Sequence, residues 1–187
     1  MAEVDPVTSH LDLLVRFGAD GTILGLGLGS SPEEWVTTLG QDFDEASRRE
    51  GHKVLSYGLV EAEFGATGAG GWSCDQIKLV IADLPSAGRP GAAVPPALRE
   101  HYGDVPARVG FDQVAQAAAR AGQRVCRVEK AVPTVIDRFW FPAAGVSFWV
   151  LTEHQLDDYP GHRAGDVYSA NVLKDSPMSA SSLTPYP

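Results

Sequence analysis

Cysteine is scarce in this chain, as are other markers that would fix a compartment or a chemistry. Only two cysteines occur in 187 residues. Cys74 and Cys126 lie far apart and, without an export signal, read as reduced thiols more readily than as a disulfide. No apolar run approaches the roughly 18 residues of a membrane-spanning helix. Residues 1–10 carry two acids and neither a basic nor an apolar run. They are unlike a signal peptide, so a cytoplasmic location is expected. Basic residues are in deficit, 15 Lys and Arg against 24 Asp and Glu, for a net charge of −9. That balance speaks against a nucleic-acid backbone or an anionic membrane surface as partner. It fits a solubilising surface, or attraction to a basic protein. Gly25-Leu26-Gly27-Leu28-Gly29 stands before a helix as a phosphate loop would. It lacks the Lys-Ser/Thr of a P-loop and a following parallel βαβ unit, so no nucleotide cofactor is expected. Ser30 and Ser31 have no His or acid at a recognisable catalytic spacing.

What the chain does have is helix punctuation. Ser31 suits an N-cap, Pro32 the first helical position, and Glu34 completes a capping box three residues after Ser31. Gly40 is a natural stop. Trp35, Val36 and Leu39 form one apolar face, so a helix is expected over Pro32–Leu39. Before it, residues 11–17 and 22–28 are apolar and β-prone around Asp20-Gly21, which predicts a β-hairpin. Residues 42–50 offer the i,i+4 pairs Asp44/Arg48 and Glu45/Arg49, which predict an added helical turn. Residues 54–64 alternate as one strand, and 72–81 as a second, joined by a glycine-rich turn into a hairpin with one buried face. The stretch 83–96 is rich in Pro and Gly and reads as a linker. A short helix is expected over 96–102 and a longer one over 111–121, with Asp112 as N-cap and Gly122 as stop. Strands follow at 124–129, 135–141, 146–151 and 166–173, with a polar loop at 152–165. Residues 174–187 are Ser/Pro-rich and expected to be disordered.

These elements predict an α+β fold, an antiparallel sheet with short helices on one face. Both halves run helix, then hairpin, which suggests a tandem repeat; two merely similar α+β halves would read the same. The corresponding division is 1–83 for a first repeat, 84–103 for a linker with a short helix, 104–173 for a second repeat and 174–187 for the tail. Both repeats are expected to form one compact unit.

Strand parity sorts the aromatic residues. If Phe64, Ile77, Leu79, Phe139, Phe141, Phe148 and Val150 pack on the helices, then Tyr57, Trp72, Trp140 and Trp149 fall on the opposite face. Trp and Tyr suit a binding surface, because each ring buries a large area with few rotors to freeze. Glu61, Glu63 and Arg138 on that face would add charge selectivity. The competing reading is that the second face is also covered and these rings form a second core. His154, Asp157, Asp158 and His162 are the densest group of potential metal ligands, but the segment reads more readily as an ordinary turn-rich loop, so no metal is expected.

The stretch from Leu26 to Gly40, with weaker support from Tyr57-Gly58-Leu59-Val60-Glu61, resembles the opening of small helix-plus-sheet modules. These are of the β-lactamase-inhibitor-protein type and the outer-membrane-lipoprotein type. It is also similar to uncharacterised actinobacterial proteins and to immunity proteins of toxin systems. The resemblance implies helices on one face of an antiparallel sheet, whose other, concave face grips a partner protein. The expectation is therefore a non-enzymatic, protein-binding immunity or inhibitor protein without cofactor. It would occlude a toxin or enzyme through Tyr57, Glu61, Glu63, Trp72, Arg138, Trp140 and Trp149. The alternative is a small-ligand-binding protein or enzyme that uses the same face as a pocket.

Overall fold

The computed structural model describes residues 9–68, 70–82, 94–106, 108–129, 136–174 and 183–186, apart from the side chains of residues 48 and 49. The first element is α1, His10–Asp20, where a hairpin strand was expected. Ser9 caps it: its hydroxyl accepts the Asp12 N–H at 3.4 Å, and the Asp12 carboxylate accepts the Ser9 N–H at 2.6 Å. Gly21 ends it in the left-handed conformation, φ 67°. Leu13, Leu14 and Phe17 share the buried stripe of a helical period. The second hairpin strand is absent too. A two-residue turn at Leu24 and Gly25 (φ 50° and 83°) closes Ile23 on Leu26 by paired backbone hydrogen bonds of 2.8 and 2.9 Å. Helix α2, Pro32–Leu39, has the expected Ser31–Glu34 capping box, with Trp35 and Leu39 buried.

The predicted helical turn at 42–50 is instead β1, Asp44–Arg49. Gly51, at φ 73°, turns it into β2, His52–Ser56. The stretch carries no apolar stripe that a helix could bury, and its backbone pairs with the Val54-Leu55 segment instead. The single strand read over 54–64 is two: β2 and β3, Val60–Ala66, with a turn at residues 57–59. Then come β4 (Trp72–Val80), α3 (Pro96–Tyr102), α4 (Phe111–Arg120), β5 (Cys126–Val128), β6 (Ile136–Phe141), β7 (Val146–Leu151), β8 (Val167–Leu173) and β9 (Leu183–Pro185). Helix α4 starts from Gly110 rather than from an Asp112 cap. Most of the expected Pro/Gly linker, residues 83–93, lies outside the described residues.

The strands form one nine-stranded sheet in the order β1-β2-β3-β4-β8-β7-β6-β5-β9, antiparallel at every pairing. Strands β1–β4 form one four-stranded meander and β5–β8 a second, with β9 added along β5, and the two meander units meet where β4 lies against β8. Leu13, Phe17, Trp35, Leu39, Leu98, Phe111 and Val114 from the four helices join one continuous core. The sheet supplies Phe64, Ile77, Leu79, Phe139, Phe141, Phe148 and Val150. The fold is thus α+β, with all four helices packed on one sheet face, hereafter the inner face. Gly18 sets the approach of α1: a Cβ there would stand 2.6 Å from Cδ1 of Phe141.

The expectation of a wholly disordered tail is corrected over residues 183–186. Strand β9 pairs with β5. Tyr186 packs edge-on against Phe111 and Phe139, with centroids at 5.7 and 4.9 Å, and its hydroxyl donates to Asp112 at 2.8 Å. Tyr186→Ala should cost about 1–2 kcal/mol, read as a lower denaturation midpoint at unchanged slope. An unshifted midpoint would mean that the ring does not dock in solution. Gly18→Ala should cost about 1–3 kcal/mol through overpacking, and Phe141→Leu in the same chain should recover part of that loss in a thermal melt.

Candidate functional site

The register decides which side of the sheet each residue faces. On the outer face, Glu61 and Glu63 of β3 stand opposite Lys78 and Gln76 of β4. Lys78 stands opposite Asn171 of β8, Asn171 opposite Ser147 of β7, and Trp149 of β7 opposite Arg138 of β6. Trp140 continues β6 on the same side, opposite Ser147. Five of the seven residues expected at the binding face are therefore on one surface: Glu61, Glu63, Arg138, Trp140 and Trp149.

Tyr57 and Trp72 are not. Tyr57 lies at the end of β2, in phase with Leu55 and Lys53, which pair with Ala62 and Phe64 of the inner face. Its ring is 4% exposed within the core and packs on Phe43 at 5.4 Å. Burial pushes its phenol up to about 12. Trp72 changes side because of a β-bulge. Glu63 pairs with Gln76, but the next residue, Phe64, pairs with Cys74, so Asp75 is an extra residue in β4. One extra residue inverts the alternation. Trp72 thus rejoins the inner face, packs against the core and carries the Lys53 ammonium 4.7 Å above its ring. Gln76 to Leu79 face the sides that regular alternation predicts, and the residues before the bulge face the opposite ones. Nothing in the alternation of side chains marks it.

The remaining outer residues form a fixed ladder. Two guanidinium nitrogens of Arg138, Nε and one Nη, donate to the Ser147 hydroxyl at 3.0 and 2.7 Å. The same guanidinium lies 5.1 Å from the Trp149 ring centre and 6.0 Å from that of Trp140, within cation–π range. Burial lowers the Arg138 pKa from its ordinary value. Trp149 donates from Nε1 to Asn171 at 3.3 Å. Further along, Lys78 is 3.7 Å from Glu61. A shallow cleft of about 370 Å³ opens among Glu63, Gln76, Lys78, Trp149, Tyr168 and Asn171. Trp140 is only 7% exposed, so register puts it on this face but packing hides most of its ring. Trp149 is the half-buried ring that the face presents.

The polar loop is organised around Asp166. His154, Asp157 and Asp158 are exposed, whereas the His162 side chain is turned inward, 4% exposed. Among the described residues no group of three or more His, Cys, Asp or Glu is arranged to hold a metal. The Asp166 carboxylate accepts from Arg108 Nε at 2.7 Å and from the Arg163 N–H at 2.8 Å, with His162 Nδ1 at 3.5 Å. His162 Nε2 lies 3.2 Å from the Ala82 carbonyl. Desolvation of Asp166 opposes its ionisation, but the Arg108 and Arg163 hydrogen bonds and the charges of Arg108 and His162 outweigh it, and the pKa falls below its ordinary 3.8. A lowered carboxylate pKa stabilises the fold above the unfolded-state value, and the contribution is lost as pH falls through the folded-state value. Asp166→Asn should therefore cost about 2 kcal/mol at neutral pH. The gap to the parent should close in acid below pH 3.8; a gap constant with pH would assign the loss to packing.

Both thiols are buried, Cys74 at 0% and Cys126 at 1% exposure, and neither is in a disulfide. Burial pushes Cys74 up to about 12, which removes the thiolate a nucleophile needs. A disulfide reagent should label neither cysteine in the folded protein and both in denaturant. Fast labelling of the native chain would contradict this.

No family model, curated protein or solved structure matches this chain.

Proposed function

We propose that the chain is a non-enzymatic protein-binding module of the immunity or inhibitor kind, acting in the cytoplasm, and that its outer sheet face occludes the working surface of a partner toxin or enzyme. The observation that carries this reading is the Trp140–Arg138–Trp149 ladder. A guanidinium held by the buried Ser147 and lying against two indole rings is pre-organised on the side of the sheet away from the helices. Pre-organised Arg and Trp are the side chains that dominate interface energetics, because little rotamer freedom remains to be lost. Glu61 and Glu63 toward the other end of the face, on a chain of net charge −9, suit a partner with basic residues. The helix-plus-meander order of both halves supports a tandem duplication as the origin of this wide sheet. The cleft of about 370 Å³ beside Trp149 supports the second reading, a pocket for a small ligand, since its size lies at the lower end of ligand sites.

The test compares neighbouring residues of one strand. Trp149→Ala should weaken binding to the product of the adjacent gene by about 2 kcal/mol or more, measured by titration calorimetry, with a modest change in melting temperature. Phe148→Ala, on the inner face, should cost about 3–5 kcal/mol of stability. Trp140→Ala should behave like Phe148→Ala, because its ring is 7% exposed. If Trp149→Ala unfolds the chain as readily as Phe148→Ala, the outer face is packed rather than presented and the binding reading fails.

A further inference from the structure

Arg138 is a half-buried cation, and among the described residues no carboxylate stands at ion-pair distance from it. Lys78 and Arg108 are also half-buried, and each has its carboxylate, Glu61 and Asp166. Asp137 adjoins Arg138 in sequence but holds the neighbouring ladder position, which faces the inner side. Glu61 and Glu63 share the outer face but lie four strand spacings away, about 19 Å. That is beyond the reach of exposed charges at physiological salt. A guanidinium withdrawn from water without a counter-charge is costly, and burial lowers the pKa of this one.

The geometry points to the group that would complete it. A guanidinium carries five N–H donors in a rigid fork. Nε and one Nη of Arg138 converge on a single acceptor, the Ser147 hydroxyl, at 3.0 and 2.7 Å. The second Nη makes no hydrogen bond with any described residue. It is also not among the polar atoms sealed from solvent without a partner, which are Trp35 Nε1, the Tyr57 hydroxyl, Gln155 Oε1 and His162 Nδ1. Solvent therefore still reaches it. The edge joining the two Nη atoms keeps one N–H on each, a parallel pair that matches the two oxygens of one carboxylate. The Trp149 and Trp140 rings, 5.1 and 6.0 Å from the guanidinium carbon, exclude water beside it, which strengthens a charge-assisted hydrogen bond made there. A phosphate would also fit the fork, but a dianion meets more repulsion than a single carboxylate from a chain of net charge −9.

We propose that Arg138 is a carboxylate-binding subsite of the outer face, which takes the side chain of an Asp or Glu of the partner protein beside the indole rings of Trp149 and Trp140. The subsite rests on the binding role proposed for that face and adds a charge pattern to it. The partner presents an acidic residue about 19 Å from the basic residues that Glu61 and Glu63 suit.

Two measurements test it. Sodium acetate is titrated into the parent chain against sodium chloride at equal ionic strength, with the arginine Nε and indole resonances observed by NMR. Acetate should shift the Arg138 and Trp149 signals saturably, with half-saturation on the order of 10 mM, and chloride should not. Arg138→Met should abolish the response. No saturable shift, the same shift with chloride, or a phosphate response stronger than that to acetate would each overturn the proposal. In titration calorimetry with the product of the adjacent gene, Arg138→Met should weaken binding about thirtyfold or more. Arg138→Lys, which keeps the charge and a donor for Ser147 but loses the fork, should fall between Arg138→Met and the parent. Circular dichroism confirms that each variant is folded. If Trp149→Ala weakens binding and neither Arg138 variant does, the subsite is wrong and the outer-face reading stands. If none of the three weakens it, both fail.

Discussion

The pairing of β4 with β8 is the contact on which the rest of the molecule depends. Residues 76–80 meet residues 169–173, remote in sequence, along five consecutive positions. Strands β1–β4 and strands β5–β8 with β9 are each a short sheet on their own. Joined there, the halves place Ile77 and Leu79 beside Val172 and Ala170, and the core becomes continuous from Trp35 at one end to Phe111 at the other. Contacts between remote segments meet their loop-closure entropy before they gain energy. The meanders are therefore expected to assemble locally first, with the central seam closing late.

The outer face inherits its order from that seam. Asn171 of β8 sits between Ser147 of β7 and Lys78 of β4, so its amide links the aromatic half of the face to the charged half. A sheet with helices on one side usually leaves its second side to water. Here much of that side is partly withdrawn from water: Ser147 and Ser169 are 1% and 2% exposed. The polar groups that remain are tied to neighbours on the face, as Arg138 is to Ser147 and Lys78 to Glu61. A surface of this kind changes little in shape when it is covered.

Much of this architecture was legible in the chain, and the misses have identifiable causes. The capping box at Ser31 and Glu34 located α2, while the equivalent pair Ser9 and Asp12 was passed over because the apolar run after it reads as β-prone. Leu13, Leu14 and Phe17 were the signal for a helix, and Gly21 marked its end. At 44–49 the local charge spacing favoured a helix, but backbone pairing with β2 prevailed over a pattern with no apolar stripe behind it. Glu61, Glu63, Arg138, Trp140 and Trp149 share the outer face as their parity predicts, because alternation is a rigid rule within one unbroken strand. Tyr57 was missed because residues 57–59 break the strand, and Trp72 because of the bulge. His162 was read with its exposed loop neighbours. Its partner Asp166, four residues on, was the available clue.

The bulge at Asp75 also makes β4 unusual in how it would tolerate changes of length. Its flanks are anchored on both sides: Cys74 exchanges backbone hydrogen bonds with Gly29 and Ser30, and Lys174 donates to the Asp75 carbonyl and pairs with its carboxylate at 3.3 Å. Deleting the extra residue, Asp75, would restore regular alternation. Trp72 would then turn outward without any change in its own chemistry or in that of its neighbours. A surface ring could thus be gained or lost by a single codon deletion or insertion, a route to altered recognition that point substitution does not offer.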